Sequence, residues 1–351
     1  MTGRSPLTQR SRLGALAATA AVLTCFGTVL SPPALANDSS AYLATGGLVM
    51  ARNDAIEMRS EDLYVSTAEI RVTYHFRNLT NEDVTTLVAF PLPEIRSPSE
   101  EDNFVIPVPD ADRNFLAFET KVDGRPVAMQ VEQRAETLGV DRTAWLESLG
   151  LPLAPHDPAL PDLLAKLPKE TRRELFENGM IDDPGLGPAQ PYSAGIQPRW
   201  SARTTYYWKQ TFPAGREIVI EHRYQPSVGG SAQTSIGEPF ESAEEKRSYA
   251  ERFCTDDGFI RAVQNARARA GSDNFIFSEA RLEYVLTTGA NWAGFIRHFT
   301  LTVDKGAPEN LTSFCMDGVK KIAPTQFRVE KTDFWPERNL QILILEPHRL
   351  Q

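Results

Sequence analysis

Histidine is the first side chain to question, because imidazole moves protons near neutral pH and binds metals. The chain has five. His75 lies on the polar side of an alternating stretch, between Thr73 and Arg77. His222 shares an apolar side with Ile218, Ile220 and Tyr224, the setting of a hydrogen-bonded core residue more than of a ligand or base. His298 lies in a later strand-like stretch, His156 in a Pro-rich region and His348 near the C-terminus. No His-x-x-x-His, Gly-x-Ser-x-Gly or metal-ligand cluster accompanies them. Adjacent carboxylates occur at Glu61-Asp62, Glu100-Glu101, Asp182-Asp183 and Asp256-Asp257, where solvated turns or helix starts are expected. A glycosidase pair is defined by a distance across a cleft, which spacing along the chain does not supply. No catalytic, cofactor-binding or metal-binding residue is assigned from the sequence.

The aromatic residues suggest binding instead. Trp200, Tyr206, Tyr207 and Trp208 lie close together. Tyr206 and Trp208 fall on one face of a strand and Tyr207 on the other. Exposed rings there would stack on a sugar or a peptide; buried, they would form sandwich core and rim. Thr288-Gly289-Ala290-Asn291-Trp292 is a second candidate, a Gly-containing loop presenting Trp292. Loops on a rigid sheet often carry binding, although a packing or turn role accounts for this one better. The candidate ligand-binding aromatics are thus Trp200, Tyr206, Trp208 and Trp292.

Residues 1–36 have the parts of a secretory signal peptide. Arg4, Arg10 and Arg12 supply positive charge, Leu13 to Leu30 is apolar, and Ser31-Pro32-Pro33 breaks the run. Ala34-Leu35-Ala36 follows as a small-x-small cleavage pattern, so the mature chain is expected to begin at Asn37. An uncleaved anchor and a lipoprotein using Cys25 are the alternatives. After cleavage no stretch is apolar enough to span a bilayer, and a periplasmic or secreted location follows. Without the three leader arginines, 34 of 37 basic side chains face 46 acidic ones, a net charge near −12. That balance disfavours a nucleic-acid partner. Cleavage also leaves two cysteines of three, Cys254 and Cys315. In an oxidising compartment the pair is expected to form a disulfide, closing a loop of about 60 residues worth roughly 4 kcal/mol at most. Two cysteines without a nearby His pair do not make a metal shell.

Strand periodicity dominates the remainder. Ile70, Val72, Tyr74 and Phe76 alternate with Arg71, Thr73, His75 and Arg77, as in a half-buried antiparallel strand. Val84 to Phe90 is the return strand, and Asp123-Gly124 is a hairpin signal. Glu136 to Met180 reads as helical, interrupted by Pro152, Pro155, Pro158 and Pro168. Strands resume at Thr204 to Phe212 and Glu217 to Tyr224. Ser242-Ala243-Glu244-Glu245 is a capping box opening a helix, and a second helix is expected from about Asp257 to Ala270. Leu340 to Leu345, apolar on both faces, is expected as a central strand. The fold class is mainly β. Two β-sandwich-like domains are expected: 37–232, carrying a helical insertion at 136–190, and 233–351, opened by a helical segment.

Several segments resemble a bacterial family, the domain of unknown function numbered 4424. They are Asn37-Asp38-Ser39, Thr45-Gly46-Gly47-Leu48-Val49, Ser60-Glu61-Asp62-Leu63, Val88-Ala89-Phe90-Pro91-Leu92-Pro93, the run Trp208 to Gly215, Thr288 to Trp292, and Cys315 with Lys320-Lys321-Ile322 and Pro324 to Phe327. The resemblance implies an exported bacterial protein and supplies no catalytic residue. Tyr74 to Asn78, Phe90 to Pro93 and Val122 to Arg125 are also similar to the vault/inter-alpha-trypsin domain, which implies a β-sandwich used in protein interactions. The functional expectation is a non-catalytic envelope module that binds a protein or a glycan. The alternative is a hydrolase of cell-wall or polysaccharide substrates.

Overall fold

The computed structural model describes residues 37–44, 47–97, 103–107, 114–187, 195–270 and 275–349. Glu100-Glu101 and the leader lie outside them. The described chain is mainly β, arranged in sandwich-like layers. An eight-stranded sheet runs in the order Lys320–Lys321, Gln326–Phe334, Ile296–Asp304, Ile56–Val65, Ile70–Asn78, Glu217–Tyr224, Glu119–Val122, Arg125–Pro126. A six-stranded sheet is centred on Ser201–Phe212 and Val84–Pro91, with Ser39–Ala44 beside the latter. A five-stranded sheet contains Leu340–Arg349 paired on one side with Leu311–Phe314 and on the other with Phe275–Tyr284.

One core joins these three sheets. Ile70, Val72, Tyr74 and Phe76 point inward as their alternation requires. They meet Val88, Phe90, Trp208 and Phe212 of the six-stranded sheet and Leu282, Tyr284 and Ile342 of the five-stranded one. Phe118 stacks on Tyr206 with ring centroids 4.4 Å apart. Leu340–Arg349 is interior to its sheet, and both of its faces are covered, as its unbroken apolar run requires. Ile342 and Ile344 face the shared core, while Leu343 and Leu345 face helices Ala243–Phe253 and Asp257–Ala270 with Phe253 and Val263. The first helix opens on the expected capping box: Glu245 N–H donates to Ser242 Oγ at 3.1 Å, and Ser242 N–H to Glu245 Oε2 at 2.8 Å.

The expected boundary at 232/233 does not separate two sets of strands. Ile296–Asp304, from the second half, pairs in parallel with Ile56–Val65, from the first. Asn103–Val105 and Val228–Ser231 join the sheet of Phe275–Tyr284. The alternating pattern that defines a strand says nothing of which distant strand it will pair with, so a local reading cuts such a sheet in two.

The helical insertion falls where it was expected. Helices Thr143–Ser148, Leu160–Lys166 and Lys169–Glu177 sit between Gln130–Thr137 and Ser201–Phe212, which pair directly. They gather their own small core of Leu146, Leu160, Leu164, Leu175 and Met180 around Trp200. Trp200 Nε1–H donates to the Leu153 carbonyl at 2.8 Å. The Asp123-Gly124 hairpin forms with both residues at positive φ, 47° and 75°, the twist favoured by a two-residue turn. Its return strand is only Arg125–Pro126, because the chain then crosses to the six-stranded sheet as Gln130–Thr137.

Candidate functional sites: a sealed polar core and an open groove

Within this apolar interior lies a connected polar cluster. Strand alternation turns His222 inward with Ile218, Ile220 and Tyr224. Its cross-strand neighbour on Glu119–Val122 is Thr120. His222 Nδ1 is 2.7 Å from Thr120 Oγ1, and His222 Nε2 is 3.1 Å from Asp38 Oδ1. Both side chains of the His222–Asp38 pair are 0 % exposed. Glu61 arrives by a different device. A bulge between Met58 and Ser60 shifts the pairing register of Ile56–Val65. One extra residue reverses which side chains face inward, so Met58 is buried before the bulge and Glu61, Leu63 and Val65 after it. Asn37 Nδ2–H donates to Glu61 Oε2 at 3.0 Å, and Tyr284 O–H donates to Glu61 Oε1 at 3.5 Å. Tyr74 and Tyr284 hydroxyls are 2.8 Å apart.

Burial governs the electrostatics. It pushes the Glu61 carboxyl up to about 8, against the opposing hydrogen bonds from Asn37 and Tyr284. Burial also raises Asp38, with His222 pulling in the other direction. The Tyr74 and Tyr284 phenols are raised by burial first, then by Glu61 and Asp38 for Tyr74 and by Tyr74 and Glu61 for Tyr284. Asp38 Oδ2 and the Tyr224 hydroxyl are buried without a hydrogen-bond partner.

The segment 37–39 is held by the loop at 287–292. Asn37 N–H donates to Thr288 Oγ1 at 2.6 Å, and the Thr288 hydroxyl donates to the Asn37 carbonyl at 2.6 Å. Trp292 Nε1–H donates to the Asp38 carbonyl at 2.6 Å, and Asn291 Nδ2–H to Ser39 Oγ at 2.8 Å. A Cβ at Gly289 would stand 2.8 Å from Asn37 Nδ2, so a side chain here would push the Asn37 amide out of place. The loop was expected to present Trp292 to a ligand. What it grips is the chain's own residues 37–39.

The four candidate ligand-binding aromatics are all inside. Trp200, Tyr206, Trp208 and Trp292 are 0, 1, 4 and 1 % exposed, and none offers a free face. Glu61, taken with Asp62 as a solvated pair, is buried while Asp62 is exposed. The signal for Glu61 was its position on the Leu63–Val65 side of the strand. Asp256 does open a helix, accepting from Phe259 N–H at 2.7 Å.

Thr120, His222 and Asp38 stand in the order hydroxyl, imidazole, carboxylate, the arrangement of an activated nucleophile. Here it is closed. Thr120, His222 and Asp38 are all buried, and Thr120 Oγ1 is 2.8 Å from Met129 Sδ. A substrate has no approach to the hydroxyl. Among the described residues, no group of three or more His, Cys, Asp or Glu could hold a metal.

An open groove of about 890 Å³ lies elsewhere among the described residues, beside the disulfide. Cys254 and Cys315 are bonded, with Cα atoms 5.0 Å apart. The bond ties the end of helix Ala243–Phe253 to the strand Leu311–Phe314. Ser313 Oγ–H donates to the Phe253 carbonyl at 2.9 Å, and Arg338 Nη2–H to the Glu251 carbonyl at 2.8 Å. The last carbonyls of a helix lack partners within it, and here neighbouring strands and turns provide them. Phe314, Met316, Val319, Phe327, Phe334 and Trp335 give the groove its apolar lining. Trp335, 38 % exposed, meets Phe295, 47 % exposed, edge to face at 5.7 Å. Asp333 beside them has φ 47°, a strained backbone for a residue with a side chain, and it binds Arg297 Nη1 at 2.9 Å. Replacing Cys254 and Cys315 together by Ser is expected to lower unfolding free energy by about 2–4 kcal/mol. Denaturant titration of both proteins measures this; an unchanged midpoint would show that the hydrogen bonds alone hold the helix end.

Fold and sites together describe a mainly β protein with a sealed polar centre, a helical insertion and a disulfide-braced surface groove. The chain belongs to the family described as domain of unknown function DUF4424, whose pattern matches residues 36–343. No curated protein matches the sequence. Among solved structures it is similar to a Legionella pneumophila protein described provisionally as nutrient-binding, at 14 % identity and TM-score 0.42, over 88 % of this chain and 70 % of that one. It is also similar to the M1 zinc metallopeptidase of Deinococcus radiodurans, at 8 % identity and TM-score 0.21, over 84 % of this chain and 43 % of that one. No helix among the described residues is long and apolar enough to cross a membrane.

Proposed function

We propose that this is an exported envelope protein that binds its ligand without catalysis, in the groove between the disulfide and Trp335. The observation that carries the reading is the contrast between its two sites. The residues with the spacing for chemistry are sealed, whereas the open groove is lined by aromatic and aliphatic side chains with charged groups around them. A concavity that sets apolar and aromatic side chains beside polar groups can hold a ligand and orient it. Lys331, Arg338, Asp317 and Glu337 supply charged groups here, and Thr312, Ser313, Thr332 and Asn339 add neutral polar ones. A ligand with one apolar face and several hydroxyls or amides fits this lining, as a glycan or an extended peptide does. The leader-like residues 1–36 and the disulfide support export.

Polysaccharide hydrolysis is the competing reading, since carboxylates do line the groove. Asp256 caps a helix and Asp333 binds Arg297, leaving Asp317 and Glu337 as the available pair. Both are exposed, so the groove lacks the sheltered carboxyl that a glycosidase acid needs. Glycan and peptide arrays probed with the mature protein and with Trp335→Ala test the proposal. The substitution is expected to weaken any specific binding at least tenfold without moving the unfolding midpoint. Binding unaffected by Trp335→Ala places the ligand elsewhere, and release of reducing sugar that Glu337→Gln abolishes would favour the hydrolase.

A further inference from the structure

The sealed cluster has one member whose chemistry depends on processing. Asn37 is buried, and its backbone nitrogen already lies in the cluster, donating to Thr288 Oγ1. Its own side chain binds Glu61, and the next residue contributes the buried pair with His222. One buried carboxyl, Glu61, is thus bonded to residue 37, and a second, Asp38, follows it in the chain and lies near enough to Glu61 to act on its charge. One carboxylate oxygen there, Asp38 Oδ2, is buried and has no donor. A site with an undonated buried acceptor and two carboxyls whose charge burial suppresses would be completed by a cation with several N–H groups.

We infer that the missing cation is the α-ammonium of Asn37, created when the leader is removed, and that processing thereby completes the core. Hydrolysis of the Ala36–Asn37 amide by a leader peptidase consumes one water. Ala36 keeps the oxygen as a carboxylate, and the Asn37 nitrogen gains two protons in becoming an ammonium. One amide N–H becomes three donors, and a neutral group becomes a positive one. The group serves the polar core as a counter-ion would. It can retain the Thr288 bond and offer two more to the acidic oxygens beside it.

The groups facing this position are Asp38 and His222 on one side, Glu61, Tyr74 and Tyr284 on the other, with Thr288 and Trp292 from the 287–292 loop. With an uncut amide, burial keeps Glu61 protonated, consistent with its raised value. With an ammonium beside it, Glu61 ionises and the pair stands as a buried, hydrogen-bonded ion pair. Cleavage must come before burial, because a protease cannot reach a bond next to a residue packed this deeply. The 287–292 loop then acts as a receptor for the new terminus. Gly289 is its steric gate, since a side chain there would strike the Asn37 amide.

The inference rests on residues 1–36 being a cleaved leader, which the proposed function also uses, so its test separates the two. The exported protein is first weighed intact. A start at Asn37 upholds the leader reading; any other start overturns both ideas. Two chains are then compared, one beginning at Asn37 and one retaining Ala36 before it, each with and without Glu61→Gln. The chain beginning at Asn37 should unfold at the higher temperature. Glu61→Gln should lower that midpoint, whereas in the extended chain, where burial already makes Glu61 take up a proton, it should leave the midpoint unchanged or raise it. The Asn37 amine of the folded protein should also resist acylation at least tenfold compared with the unfolded chain. Equal effects of Glu61→Gln in both chains, or an amine as reactive folded as unfolded, would leave the leader reading standing and sink the counter-ion.

Discussion

Replacing His222 by Ala is expected to lower the unfolding free energy by about 3–5 kcal/mol, the combined cost of breaking a buried hydrogen-bonded pair and opening a cavity. The loss has three sources. Asp38 keeps its burial and loses the 3.1 Å bond to Nε2. Thr120 loses its 2.7 Å partner at Nδ1. Removal of the ring also leaves a cavity among Phe90, Phe118, Tyr74 and Trp208, whose centroids lie 4.9 to 5.8 Å away. Asp38→Asn should cost less, because the amide oxygen still accepts from the imidazole while the buried charge disappears. Urea titration of the two single variants and the double variant gives the coupling directly. The double loss should fall well short of the sum of the single losses. Simple additivity, or a His222→Ala loss below about 1 kcal/mol, would mean that the pair does not stabilise the core.

The sequence shows His222 as a core residue and does not show its partners. Alternation at Glu217 to Tyr224 decides which face His222 takes, and that is a local property. Its carboxylate comes from Asp38, 184 positions away, and its hydroxyl from Thr120, 102 away. Those meetings depend on strand order, which local pattern does not encode. Glu61 was harder still, because its direction depends on a bulge at Met58 to Ser60 with no Gly or Pro to announce it. The aromatic candidates misled for a related reason. Trp208 and Tyr206 share a strand face, but whether that face is covered depends on the opposing sheet. Trp200 is covered by the insertion, and Trp292 by the segment 37–39. Features that needed no partner were legible: the capping box at Ser242, the turn at Asp123-Gly124, the doubly covered strand at Leu340 and the single cysteine pair. The groove at Trp335 escaped notice because it is made at the junction of a helix end, a strand end and a turn.

Glu61 gives the full-length chain a stability that falls as the solution becomes more alkaline. In the unfolded chain its carboxyl releases a proton near 4.5, whereas in the folded protein burial holds the proton until about 8. The folded state therefore binds the proton more tightly. Below about pH 4.5 both states are protonated and the group costs nothing. Between there and about pH 8 the unfolded state gains stability with each step in pH, and above pH 8 the penalty is complete. A difference of this size corresponds to roughly 5 kcal/mol in total, on the scale of 1.36 kcal/mol per unit. Asp38, raised in the same direction, adds to the slope. Acid unfolding of the surface carboxylates limits the useful window to about pH 5.5–8, where the midpoint should fall steadily. Glu61→Gln carries no proton to release and should flatten most of that fall, with a gain of roughly 1.4 kcal/mol at pH 5.5 that grows toward pH 8. In a chain beginning at Asn37 the new ammonium draws Glu61 downward, so the same fall should shrink there without any substitution. Thermal unfolding of the three proteins across the window provides the comparison. A slope that survives Glu61→Gln intact would assign the pH dependence to other groups and would remove the buried neutral carboxyl from this account of the core.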